Sequence, residues 1–162
     1  MAESMKADTL LFTQDGTNVK INYSDSGILK AIIFAPKLIG FKKDNNEIVK
    51  MPEGVKADFY NKLGQVESYL TAEKGISYQT QKKVEVWQNV QILNVKNEKL
   101  NTEKLIWDQN TRKIYTDKFV RITTPTEILT GEGLEADQDF TKWMILKPRG
   151  VITIKKDSTE NQ

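Results

Sequence analysis

Leu70–Ile92 reads LTAEKGISYQTQKKVEVWQNVQI, and Leu100–Ile122 reads LNTEKLIWDQNTRKIYTDKFVRI. Laid over each other at a constant offset and without a gap, they match at Leu70/Leu100, Glu73/Glu103, Lys74/Lys104, Ile76/Ile106 and Gln79/Gln109. They match again at Lys83/Lys113, Val84/Ile114, Val90/Val120 and Ile92/Ile122. One residue closer in spacing, Leu129, Glu132, Leu134, Asp137, Gln138 and Lys142 repeat Leu100, Glu103, Leu105, Asp108, Gln109 and Lys113. A looser copy precedes them. In it Ile33, Ala35, Ile39 and Phe41 stand for Leu70, Ala72, Ile76 and Tyr78, and Val49, Met51, Val55 and Ala57 for Val84, Val86, Val90 and Ile92. About four copies therefore fill most of the chain. Each is a strand, a polar turn, a second strand and a bend.

The period inside each copy is two, as in Val19, Ile21 and Tyr23 or Leu29, Ala31, Ile33 and Ala35, which signals β-strands rather than helices. Turn sequences punctuate the runs at Gln14-Asp15-Gly16, Asp25-Ser26-Gly27, Lys43–Asn46, Asn61–Gly64, Lys96–Glu98 and Asp108–Asn110. A dozen or more antiparallel strands are expected. A unit this small cannot bury its apolar face alone, so the copies must stack around a shared interior. The expected fold is all-β, a twisted jelly-roll of repeated antiparallel strands, open at both ends. Ends of that kind leave edge strands with unpaired N–H and C=O groups, ready to accept a partner's strand. Val19 and Ile21 at the first edge, and Val151, Ile152, Thr153 and Ile154 at the last, are the candidates.

Composition closes off most chemistry. The 162 residues contain no cysteine and no histidine. Disulfides, thiolate metal sites and cysteine nucleophiles are excluded, and the commonest general base is missing. Asp108 and Asp117 could be read as a carboxylate pair, but Asp108 lies in an Asp-Gln-Asn turn that recurs as Asp137-Gln138-Asp139. Turn-forming Asx chemistry explains such placement. No catalytic, cofactor-binding or metal-ligating set is therefore expected, and the chain is read as a non-enzyme. The 24 bases and 22 acids are dispersed, for a net charge of +2, so nucleic acid is not an expected partner. Lys42, Lys43, Lys82 and Lys83 read as solvated turn lysines.

One predicted strand face collects Ile33, Ala35, Met51, Val55, Leu70, Ala72, Val84, Val86, Val90, Ile92, Leu100, Ile106, Ile114, Val120 and Ile122, and by alignment Trp143. It is either a dry core or the wall of an apolar groove. Trp107, of opposite parity to Ile106, is expected on the outer face. Gly131 and Gly133 replace Thr102 and Lys104 in the repeat, which suggests a bulge or close approach of another backbone.

The segments SDSGILKAIIFAP (Ser24–Pro36), MPEGVKADFYNKLGQVESYLTAEKGISY (Met51–Tyr78), WQNVQILN (Trp87–Asn94), LNTEKLIWDQNTRKIYTDKFVRI and LTGEGLEAD (Leu129–Asp137) together resemble the OstA-like family of lipopolysaccharide-transport proteins. Within it they are similar to LptC-type members of the Bacteroidetes type, over about residues 9 to 154. The resemblance implies a groove accepting the acyl chains of lipopolysaccharide. It further implies a periplasmic location with an inner-membrane anchor, absent from this sequence. The implied partners are an inner-membrane ABC transporter that extracts the lipid and a related periplasmic β-bridge protein reached by strand addition. On this reading residues 1–8 are a linker after a removed anchor, 9–154 a single domain, and 155–162 a flexible tail. The alternative is a β-repeat envelope scaffold or adhesin module that binds no lipid.

Overall fold

The computed structural model describes residues 11–154, all in strands and the turns that join them. The proposed linker 1–8 and tail 155–162 lie outside that range. Eleven strands follow in order: β1 Leu11–Asp25, β2 Ile28–Lys43, β3 Asn46–Met51, β4 Val55–Tyr60, β5 Val66–Ala72, β6 Lys74–Tyr78, β7 Lys83–Asn94, β8 Lys99–Asp108, β9 Lys113–Thr123, β10 Glu127–Asp137 and β11 Trp143–Thr153. Every pairing is antiparallel. The count falls just short of a dozen because the chain bends inside β7 to β11 without leaving the strand.

That bend organises the molecule. Strand β7 pairs with β6 through Lys83–Trp87 and with β5 through Gln91–Asn94. Likewise β2 pairs with β4 over Ala31–Phe34 and with β3 over Ile39–Lys43. One sheet thus becomes two walls joined along a fold line. The first wall holds β4, β5 and the halves of β7 to β10 next to the turns after Leu93, Thr123 and their like. The second holds β3, β6 and the opposite halves. The walls face each other, since Phe59 of β4 stacks edge-on against Trp107 of β8 although the two strands never pair.

The fold line is built from bulges. Gln88 and Asn89 both adopt positive φ, 70° and 54°, where β7 turns from one wall to the other. The β8–β9 register shifts by one residue between Thr102 and Ile106. Each bulge frees backbone groups, and buried threonines take some of them up. Thr102 Oγ1 donates to the Phe119 carbonyl at 2.8 Å, and Thr116 Oγ1 accepts from Lys118 N at 3.1 Å.

These bulges correct two expectations. Inward positions run Leu100, Thr102 and then Leu105, Trp107, all buried. The one-residue step turns Ile106 to the outer face, half-buried, and turns Trp107 into the core, because a shift of one residue exchanges the two faces of a strand. The expected turn at Gln14-Asp15-Gly16 is also overruled. There β1 continues, pairing Asp15 with Ile39 and Gly16 with Leu38, and only a register shift between Phe12 and Gln14 marks the spot. A long partner strand supplies hydrogen bonds that the local turn signal cannot match.

The two glycines behave as expected. Gly133 has φ of +85°, at the register shift in β10. A Cβ on Gly131 would lie 2.5 Å from the Lys147 carbonyl oxygen and almost on Ile145 Cγ2. Gly131→Ala should therefore destabilise the fold by about 1–3 kcal/mol through overpacking. Faster amide exchange confined to β10 and β11 would confirm the cause; unchanged urea stability would refute it.

Candidate functional site

Between the walls lies a continuous apolar interior. Fourteen of the sixteen groove candidates are buried in it: Ile33, Ala35, Met51, Val55, Leu70, Ala72, Val84, Val86, Val90, Ile92, Leu100, Ile114, Val120 and Ile122. Trp143 is half-buried and packs against this core, and Ile106 alone faces away. The interior also contains Leu105, Trp107, Phe59, Leu134 and Phe140, which alternation did not place there. The signal for two of them was present, since Leu105 and Leu134 occupy matching places in adjacent copies.

Side chains meet across this interior. The remaining space lined by Ile33, Ala57, Phe59, Leu70, Val86, Leu105 and Trp107 is only about 20 Å³. Trp107 acts as the plug. Phe59 and Tyr23 approach it edge-on at 5.1 and 5.2 Å, and its Nε1 donates to Gln138 Oε1 at 3.0 Å.

Opposite the fold line, the turns of one wall meet those of the other, forming a rim. Arg112, in the β8–β9 turn, donates from Nε to Oδ2 of Asp25, the last residue of β1, at 2.7 Å. That guanidinium holds the Asp25 carboxyl below its ordinary value. Toward the other end, buried Asn94 donates from Nδ2 to the Phe140 carbonyl at 2.9 Å, while Trp143 Nε1 donates to Glu98 Oε1 at 3.0 Å. Asn94 is also the organising residue of its turn, its Oδ1 accepting from Lys96 N and Glu98 N. Asn61 repeats that role one copy earlier, accepting from Leu63 N and Gln65 N. Each of these rim-crossing bonds between described residues uses a side chain, whereas backbone ladders hold each wall together.

Tyr23 points from the first wall into this region, its hydroxyl 3.4 Å from Ser77 Oγ. Burial raises its pKa, and hydrogen bonds with Ser77 and Gln109 only partly oppose that. A tyrosine with a raised folded-state pKa adds stability that is fully present below about 10 and is lost as pH rises through the folded value. Stability should therefore decline on the alkaline side in the wild type and decline less in Tyr23→Phe. Urea unfolding from neutral to alkaline pH reads this directly; parallel curves would contradict it.

Asp108 and Asp117, the carboxylates singled out by sequence, both line one open crevice on the outer face, together with Glu135, Lys104 and Lys113. Asp108 Oδ1 accepts from Asn110 N at 2.9 Å, an Asx turn, and Asp139 Oδ1 accepts from Thr141. Asp117 sits exposed at the fold line. Among the described residues no group of three acidic side chains is placed to hold a metal ion.

Among the described residues β1 pairs only with β2 and β11 only with β10, so each presents an outer edge. Val151 and Ile152 are well exposed, and Thr153 and Ile154 are exposed as well. Val19 and Ile21 on β1 are half-buried, Ile21 against the core.

Residues 4–148 match the family model described as lipopolysaccharide-assembly, LptC-related. The chain belongs to this LptC-related family. Its members work in lipopolysaccharide assembly, and the chain is thereby a component of lipopolysaccharide transport. Among solved structures, the crystal structure of LptH, the LptA-homologous periplasmic component of the lipopolysaccharide transport device from Pseudomonas aeruginosa, matches at 8% identity and a TM-score of 0.30. That match covers 94% of this chain and 100% of that one, but so loose a superposition adds nothing to the family match. No curated protein matches.

Proposed function

We propose that this LptC-related chain is a non-enzymatic carrier that takes the acyl chains of lipopolysaccharide between its two walls. It works in the periplasm, tethered to the inner membrane. It receives lipid from an inner-membrane ABC transporter and passes it to a related β-bridge protein whose strand adds to an outer edge, most readily that of β11. The observation that supports this reading is the asymmetry of the sandwich. Its walls are continuous backbone ladders joined along one line, while the opposite rim is held by side chains.

The cavity of about 20 Å³ beside Phe59 and Trp107 is too small for an acyl chain, so loading there means parting the walls. Parting breaks the rim bonds and exposes apolar side chains. An entering acyl chain restores that burial at roughly 0.8 kcal/mol per methylene, so the exchange of wall contacts for lipid contacts is near balance. A near-balanced exchange is what a carrier that must also release its cargo requires.

Photoreactive residues at Val86, Val90 and Ile114 should capture lipopolysaccharide in cells, while probes at outward Glu103 and Arg121 should not. The same small cavity favours a second reading, a β-repeat scaffold with a dry core. Capture at the outward positions alone would establish the scaffold and sink the carrier.

A further inference from the structure

We infer that the fold line carries a second lipid site, a lateral crevice for a single acyl chain with an anionic head. Strand β2 gives its pairing edge to β4 up to Phe34 and to β3 only from Ile39. Between them Ala35 to Leu38 are left without a partner on that side, and Pro36 has no N–H to offer. The Pro52–Gly54 connection swings clear of this stretch, with Gly54 at φ of +118°. The gap is a crevice of about 560 Å³, within the range of small-molecule sites.

Its walls are apolar, from Val19, Phe34, Ala35, Val55 and Ala72. Ala35, Val55 and Ala72 also belong to the core between the two walls, so the crevice abuts that core directly. On the outer face the register sets Lys20 opposite Phe34 and Phe34 opposite Lys56. Two exposed ammonium groups therefore flank an aromatic side chain at the lip. Glu53, on the turn side, is the one acid lining the crevice, so the lip is net positive. An apolar slot under two cations fits an acyl chain bearing a phosphate or carboxylate, and a neutral head forfeits the lysine contacts.

As a point of lateral entry to the interior, the crevice rests on the carrier reading. As a binding site, it stands alone. The test is amide NMR of the whole chain titrated with dodecyl phosphate and, separately, dodecyl maltoside, each below its micelle concentration. Dodecyl phosphate should shift the amides of Ala35, Gly54 and Ala72. The double variant Lys20→Glu/Lys56→Glu should weaken it about tenfold, equivalent to 1.4 kcal/mol, while leaving dodecyl maltoside nearly unaffected. Val19→Trp, which fills the slot, should weaken both. Equal affinity of the double variant for dodecyl phosphate overturns the proposal, as does a response confined to Val90, Leu105 and other interior amides. That last result leaves the carrier reading intact. Conversely, a responsive crevice with no lipopolysaccharide captured at Val86, Val90 or Ile114 keeps the site and removes the carrier.

Discussion

Trp107→Ala should lower the unfolding free energy by about 3–5 kcal/mol, the usual cost of deleting a buried tryptophan. Trp107 is 5% exposed and holds the two walls together at one point. Its removal takes the edge-on contacts with Phe59 and Tyr23 and leaves Gln138 Oε1 without its indole donor. The neighbouring Ile106→Ala, on the outer face, should cost less than about 1.5 kcal/mol, because a half-buried side chain loses only part of its transfer free energy. Guanidinium unfolding of both variants, followed by circular dichroism, makes the comparison. A larger loss at Ile106 than at Trp107 would show that this half of β8 presents the opposite face to the core.

Covalent closure of the rim should abolish lipopolysaccharide loading. The chain has no cysteine, so a pair introduced as Asp25→Cys and Arg112→Cys can be joined by a short bis-maleimide without side reactions. In the wild type this contact is a single exposed ion pair, weak and reversible. A covalent tether makes it permanent while leaving the fold line and both walls untouched. Photo-crosslinking to lipopolysaccharide at Val90 should fall at least about tenfold, the measure of a 1.4 kcal/mol block, in the tethered protein and persist in the untethered double variant. Undiminished capture after tethering would mean that lipid enters elsewhere, and the crevice at the fold line is then the route to examine. Tethering should also raise thermal stability, which confirms that the reagent has bridged the turns.

Much of the architecture was legible along the chain because its causes are local. The turns at Asn61, Asn94 and Asp108 are organised by Asx side chains bonding to their own following backbone. The glycines at Gly131 and Gly133 mark a close approach and a bulge that a Cβ would obstruct. The repeat match fixed which strands are equivalent. Ile106 was misplaced because alternation counted from Leu100 was carried straight across the fold line, where the inward face of β8 steps from Thr102 to Leu105; its repeat partner Ile76 likewise lies between buried Gly75 and Ser77. Leu105 and Leu134 matched too, and they fall on the buried side.

By itself, then, the sequence determined an all-β stack of antiparallel repeats with apolar positions sufficient for one shared interior, no residues for thiol or imidazole chemistry, and edge strands at both ends. The tertiary structure decided which side of β8 faces inward and how the interior is closed. Where the extra residue of a bulge sits is set by the hydrogen bonds of the strands on either side. The closure depends on Asp25 meeting Arg112, 87 residues later in the chain, and on Asn94 meeting Phe140, 46 residues later. Contacts of that separation exist only once the sheet has folded back on itself, and no local pattern encodes them.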